Sequence, residues 1–241
     1  MYQKSDPKTI QKMFGSIAAS YDKTNEILSF GLHKKWNRTL VKTIIKDQQI
    51  DSFLDLCGGT GEITFAFLQH CKKTPANLYL LDFCEEMLQR AECKAKRLPL
   101  NIQKNLSYIQ ADAQSIPLID GSVDAATVAY GIRNVQDPLK CIQDVYRVLR
   151  PGGSFGILEL TRPTNPLLNL GHRAYLKCFM PLAGWCVTAN RDAYKYLCNS
   201  IQSFIEPDKL EQMLADSKFT EIKRISLSGG IATILFAKKP A

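Results

Sequence analysis

Apolar residues recur at intervals of three and four from Ile10 through Met13, Phe14, Ile17 and Ala18, and again at Ile27, Leu28, Leu32 and Trp36 after a polar break. This is the one-sided stripe of amphipathic helices, so residues 7–46 are predicted to form a helical cap. From Asp51 the texture changes. Apolar runs of strand length stand at SFLDL, NLYLLD, LSYIQAD, DAATVAY and SFGILEL, separated by helix-patterned stretches at 62–73, 85–97 and 137–149. Strands alternating with helices predict a doubly wound parallel sheet. RPGG at 150–153 reads as a turn feeding the fifth strand, followed by a long irregular insert rich in aromatics and proline and by a helix at about 192–204. The remaining residues read as a helix and two strands joined by Ser-Gly-Gly, a hairpin signal. The expectation is an α/β fold with a seven-stranded, mostly parallel sheet whose last strand is antiparallel.

At 241 residues the chain suits one large domain rather than two. Within it residues 1–46 form the cap, 51–160 a ligand-binding core, 161–205 an insert acting as a lid, and 206–241 a terminal helix and hairpin. A net charge of +8 favours an anionic surface such as phospholipid or nucleic acid, or merely a soluble basic exterior. The eight cysteines include no C-x-x-C pair, which indicates neither a zinc site nor a disulfide framework, and no metal is expected. The sequence shows neither an apolar leader core nor a run long enough to span a bilayer, so a cytoplasmic location is expected.

DLCGGTGE, Asp55 to Glu62, places a glycine-rich turn between the first strand and a helix, the usual seat of a nucleotide-like cofactor. A dinucleotide clamp requires G-x-G-x-x-G, but Thr64 occupies the third small position, which weakens a dehydrogenase reading. An S-adenosylmethionine site requires an acid ending strand one, a glycine turn, an acid ending strand two for the ribose diol, and a polar pair after strand three for adenine. Asp55, Gly59-Thr60-Gly61, Asp82 and Asp112-Ala113 fill those places in order. Each acid alone could be a helix cap or a solvated loop residue; all four features in the expected order are improbable by chance.

Together DLCGGTG, LLDFCEEML, IQADAQSIPLIDGSVDAATVAYGIRNV and YRVLRPGG resemble the class I S-adenosylmethionine-dependent methyltransferases, with their Rossmann-like fold. Within that class, MFGSIAASYDKTNEILSFGLHKKWNR, the GIRNV after strand four and NRDAYKYLCNSIQSF are similar to the ubiquinone/menaquinone biosynthesis C-methyltransferase family, over nearly the whole chain. The resemblance implies a demethylmenaquinol or related polyprenyl quinol as acceptor, with naphthoquinol preferred over benzoquinol. The superfamily usually has glycine where Cys57 stands, and Ala129, near the cofactor, replaces a frequent serine.

Such a reaction needs an aligned methyl donor and an acceptor carbon made nucleophilic by loss of a phenolic proton, so the reduced quinol must be the substrate. Candidate catalytic residues are Arg133, Asn134 and Tyr21, with His33 also considered. Arg133 is too basic to take a proton and is expected to stabilise the phenolate or hold a water, while Asn134 orients the ring oxygen. Their bland alternative is a capping pair before the helix at 137, and for His33 a packing role. His70 and His172 are given none. The apolar positions of the insert, including Leu167, Leu168, Leu170, Tyr175, Phe179, Leu182, Trp185 and Val187, serve either as core or as the walls of a prenyl site. His172, Arg173 and Lys177 add cations suited to peripheral contact with an anionic membrane. A homodimer is the expected assembly. Rival readings are an RNA methyltransferase, for which no basic-aromatic face is visible, and a non-catalytic quinone binder, for which the cofactor acids would be superfluous.

Overall fold

A computed structural model describes residues 6–46, 48–180 and 191–241. Three cap helices, α1 (Pro7–Ile17), α2 (Tyr21–Leu28) and α3 (Leu32–Ile45), precede the sheet. Then come β1 (Ser52–Leu56), α4 (Glu62–His70), β2 (Asn77–Asp82), α5 (Glu85–Ala95), the single turn α6 (Leu100–Gln103), β3 (Leu106–Gln110), β4 (Val123–Ala129), α7 (Pro138–Val148) and β5 (Leu149–Leu160). The chain continues through α8 (Pro166–Ala174), α9 (Arg191–Ser203), α10 (Pro207–Asp216), β6 (Thr220–Leu227) and β7 (Ala232–Lys238). The seven strands are ordered β3-β2-β1-β4-β5-β7-β6, and β7 runs antiparallel to both its neighbours. The order reverses between β1 and β4, the switch point of a doubly wound sheet, where a crevice opens beyond the strand ends.

Both faces of the sheet are covered. One buries Leu54, Leu56, Val128, Phe155 and Ile157 with α7 and α10; the other packs Phe53, Ala125 and Leu158 against Trp36, Leu40, Val41 and Ile44 of α3 and Phe67 of α4. The stripe read as a cap is therefore partly a sheet-covering layer, because α3 lies on the core. The cap's other helices cluster with the insert: Ile17, Ala18 and Leu28 meet Leu176, Met180 and Ile201.

Two expectations need correction. RPGG does not precede the fifth strand but lies inside β5, where Gly152 at φ +77° and a register shift between Val123 and Ala125 mark a bulge. The first part of the insert is not irregular. Asn165 caps α8 by accepting from the Leu167 and Leu168 amides, and a π turn, Tyr175–Phe179, extends it. Leu182, Trp185 and Val187 lie outside the described residues.

Candidate active site

The glycine loop follows β1 with Cys57 at φ +50°, Gly59 at +54° and Gly61 at +83°. Such angles cost nothing at glycine and something at Cys57. The crowding is mutual, since a Cβ on Gly131 would stand 2.3 Å from the Cβ of Cys57. The two loops therefore pack by pairing one side chain with one glycine.

Asp55 turns inward. Its Oδ2 accepts from the amide and hydroxyl of Thr64 at 3.1 and 2.8 Å, and its Oδ1 from the Thr127 hydroxyl at 3.1 Å. Full burial pushes its carboxyl up to about 7, despite those three donors. Asp82, also buried, accepts from the amides of Gly59 and Cys84, both at 2.9 Å, one on each oxygen. Burial raises it to about 6, against the lowering effect of the amides.

A cavity of about 390 Å³ opens beside it, lined by Gly59, Asp82, Asp112, Ala113 and Ala129. Asp55, Thr60 and Gly61 do not line it. Asp55 ties the loop to α4 and β4; Gly61 is the left-handed residue that starts α4; Thr60 donates to Asp22 of α2. Lys94 completes that cluster, 2.7 Å from Asp22 and 3.2 Å from the Thr60 hydroxyl. The cap is thus latched to the loop.

The donor set fits S-adenosylmethionine. Each oxygen of Asp82 uses one lone pair on an amide and keeps another for a vicinal diol, beside a backbone that approaches closely at Gly59. Asp112, engaged by the Gln114 amide at 2.9 Å, borders the same space after β3.

A second cavity, about 340 Å³, lies under the cap and insert, walled by Met13, Ile17, Leu28, Trp36, Leu168 and Met180 among others. Set among these are His33, Arg133, His172 and Tyr196, together with Thr24, Asn25 and Ser29 of the cap. Phe14, Tyr21 and Tyr130 line both cavities and form their common wall. Burial raises the Tyr21 phenol above its ordinary value, and the Tyr130 phenol well above. Both are therefore neutral hydroxyls, donors rather than bases.

Arg133 and Asn134 occupy a 3₁₀ turn, and neither caps α7. Asp137 does, accepting from the Leu139 and Lys140 amides. The two part company. Arg133 faces the second cavity, its guanidinium paired with Glu159 of β5 and both side chains almost fully buried; its Nε has no partner. Asn134 lines the first cavity, and its Oδ1 accepts from Tyr196, whose ring reaches the second. His33 is 2.6 Å from the Ser29 hydroxyl, and that hydroxyl is 2.7 Å from the Asn25 carbonyl. Ser29 has one proton, which the carbonyl must receive, so the Nδ1 of His33 is the donor to Ser29, and its Nε2 lies 3.5 Å from Glu62.

Sequence reasoning missed Glu159, Tyr130 and the Asp22–Lys94 pair. Glu159 carried a signal: a lone acid in an apolar strand has to find a cation.

The description of the ubiE/COQ5 methyltransferase family matches residues 2–239. The chain belongs to that family. The demethylmenaquinone methyltransferase of Protochlamydia amoebophila is 48% identical over 239 residues, 99% of this chain and 98% of the relative. That of Chlamydia caviae is 35% identical over 240 residues, 99% and 100% of the two chains. Among solved structures, a SAM-dependent methyltransferase from Aquifex aeolicus has TM-score 0.61 at 18% identity, covering 98% of this chain and 99% of that one. Another from Thermotoga maritima has 0.64 at 16%, covering 95% and 99%. The ubiE/COQ5 chain thus has the class I methyltransferase fold and depends on S-adenosylmethionine.

Proposed function

We propose that the chain methylates a ring carbon of demethylmenaquinol, forming menaquinol, and that the benzoquinol intermediate of ubiquinone biosynthesis is a second acceptor. The observation that carries this reading is a cavity bearing buried carboxylates and a more apolar one meeting at a single wall of Phe14, Tyr21 and Tyr130. One suits a charged nucleoside and the other a lipid-bearing ring. The relatives' names, demethylmenaquinone methyltransferase, support the same acceptor.

Gly59, Asp82, Asp112, Ala113 and Ala129 would hold the donor, while Asp55, Thr60 and Gly61 shape the loop behind it. When bound, S-adenosylmethionine supplies an electrophilic methyl group. The chain's own task is to make the acceptor carbon nucleophilic. Breaking the phenolic O–H bond leaves its electron pair on oxygen, and that charge spreads to the ortho carbon. Arg133, in the wall of the second cavity, is placed to stabilise the developing phenolate by its charge. Tyr21, a neutral hydroxyl at the shared wall, is a hydrogen-bond donor. Asn134 acts through Tyr196, whose hydroxyl it holds, rather than on the ring directly. His33, in the wall of the same cavity, is the acceptor proposed for the phenolic proton; after methyl transfer the hydrogen on the methylated carbon leaves as a proton and the oxygen regains one, restoring the aromatic quinol.

A net charge of +8 supports peripheral contact with an anionic membrane, and no helix among the described residues is long and apolar enough to cross one. A homodimer is part of the proposal, readable by light scattering. The test of function uses purified enzyme, labelled S-adenosylmethionine and separate demethylated naphthoquinol and benzoquinol, each oxidised and reduced. Label should enter the reduced naphthoquinol. Transfer only to RNA, or equal transfer to the oxidised quinone, would overturn the reading.

A further inference from the structure

Nine large apolar side chains are exposed among the described residues, and seven fall within 27–32 and 167–179, led by Leu167 at 80%, Phe30 at 71% and Leu170 at 67%. The two segments form one surface. Phe30, in the turn between α2 and α3, stacks on Phe179 with centroids 5.6 Å apart, and Tyr175 lies 6.3 Å from Phe30 and 5.2 Å from Phe179. Phe30 sits at φ +50°, a conformation unfavourable for a bulky residue, directly before Gly31 at +73°. The turn thus holds an aromatic ring out to solvent at a conformational cost.

Helix α8 is apolar on two sides. Leu168 and His172 line the second cavity, whereas Leu167 and Leu170 line neither cavity and are exposed. A helix of that kind needs a covering on its outer face. Charge says what covers it. Residues 160–191 contain Arg162, Arg173, Lys177 and Arg191 but no Asp or Glu. Arg162 pairs with Glu206; Arg173 and Lys177 are exposed, and neither joins an ion pair among the described residues. Apolar side chains rimmed by unpaired cations match an anionic lipid surface. The surface is also continuous with the second cavity, since Phe30, Leu32, Leu168 and Tyr175 belong to that cavity's wall. At about 340 Å³ the cavity is near the lower end for ligand pockets, so a long polyprenyl chain must continue outside it.

We propose that the α2–α3 turn and α8 with its π turn insert together into the interface of an anionic bilayer, with Arg173 and Lys177 on the headgroups. The acceptor's chain then passes from lipid into the second cavity without crossing water. The route rests on the quinol reading; the docking surface does not.

Sedimentation with quinol-free vesicles separates the two. Wild-type chain should bind phosphatidylglycerol-containing vesicles, bind phosphatidylcholine vesicles less, and release as salt is raised. Leu167→Glu with Leu170→Glu should weaken binding by at least about tenfold, because two buried leucines are lost from the interface. The double variant should methylate a short-chain, water-soluble quinol at the wild-type rate and lose methylation of a long-chain quinol held in vesicles. Arg173→Glu with Lys177→Glu should abolish the preference for anionic lipid. Absence of wild-type vesicle binding, or unchanged binding by the leucine variant, would overturn the proposal. So would a change of the leucine variant from dimer to monomer with vesicle binding intact, which would make the face a contact between copies. Failure to methylate any quinol, with vesicle binding behaving as stated, would remove the function and leave the surface.

Discussion

The two cavities share three aromatic rings but are built by different means. The first is made mainly from the ends of β1, β2, β3 and β4 and the loops that leave them, with Gln11, Phe14 and Tyr21 of the cap closing it, so most of its polar groups sit where a strand stops. The second is assembled from cap helices, the insert and α9, elements far apart in sequence, and it is lined mainly by apolar side chains. The first cavity is therefore written largely in local sequence, whereas the second exists only once the cap has closed over the sheet edge.

Substitutions confined to one side should break or sharpen this contrast. The largest effect belongs to the second cavity. Glu159→Ala leaves the Arg133 guanidinium buried without its carboxylate and should destabilise the fold by about 3–5 kcal/mol, read by urea unfolding. A loss below about 1 kcal/mol would mean the pair is solvated. Asp82→Ala should affect the first cavity alone. With two amides left unaccepted and the diol contact gone, donor affinity by calorimetry should fall by about 2–3 kcal/mol, while binding of a quinol analogue holds. Parallel losses at both ligands would show that the shared wall couples them.

The next effect concerns the sheet beneath both. Asp55 is raised from 3.8 to about 7, so between those values the folded chain retains a proton that the unfolded chain has released. Stability should therefore decline as pH rises through that window, by up to about 1.4 kcal/mol per unit, and Asp55→Asn should flatten the slope. The smallest effect tests the latch. Asp22→Ala removes a half-exposed pair with Lys94 and the Thr60 contact, for about 0.5–1 kcal/mol of stability, and should raise the KM for both substrates with little change in kcat.

The same contrast explains what could be read from sequence. The strands, their alternation with helices, the glycine loop and the strand-end positions of Asp82 and Asp112 were legible because period and loop chemistry are local properties. Asp55 was placed at its strand end correctly, but which way it faces depends on Thr64 and Thr127, and the latter is 72 residues away. The pairing of Arg133 with Glu159 spans 26 residues and the whole of α7, and Tyr196 reaches Asn134 across 62. Long-range pairs of this kind have no periodicity to betray them. The insert looked irregular because proline and aromatic residues obscure a helix that Asn165 nevertheless caps.

Cys57 turns the glycine loop's one departure from pattern into a question of self-preservation. It lines the first cavity, so on the proposed function a sulfur nucleophile faces the place where a reactive methyl group is to be held. Burial first, and then the charge of Asp82, raise its thiol well above the ordinary value, and only a thiolate attacks. The proton it retains keeps the loop from becoming its own substrate.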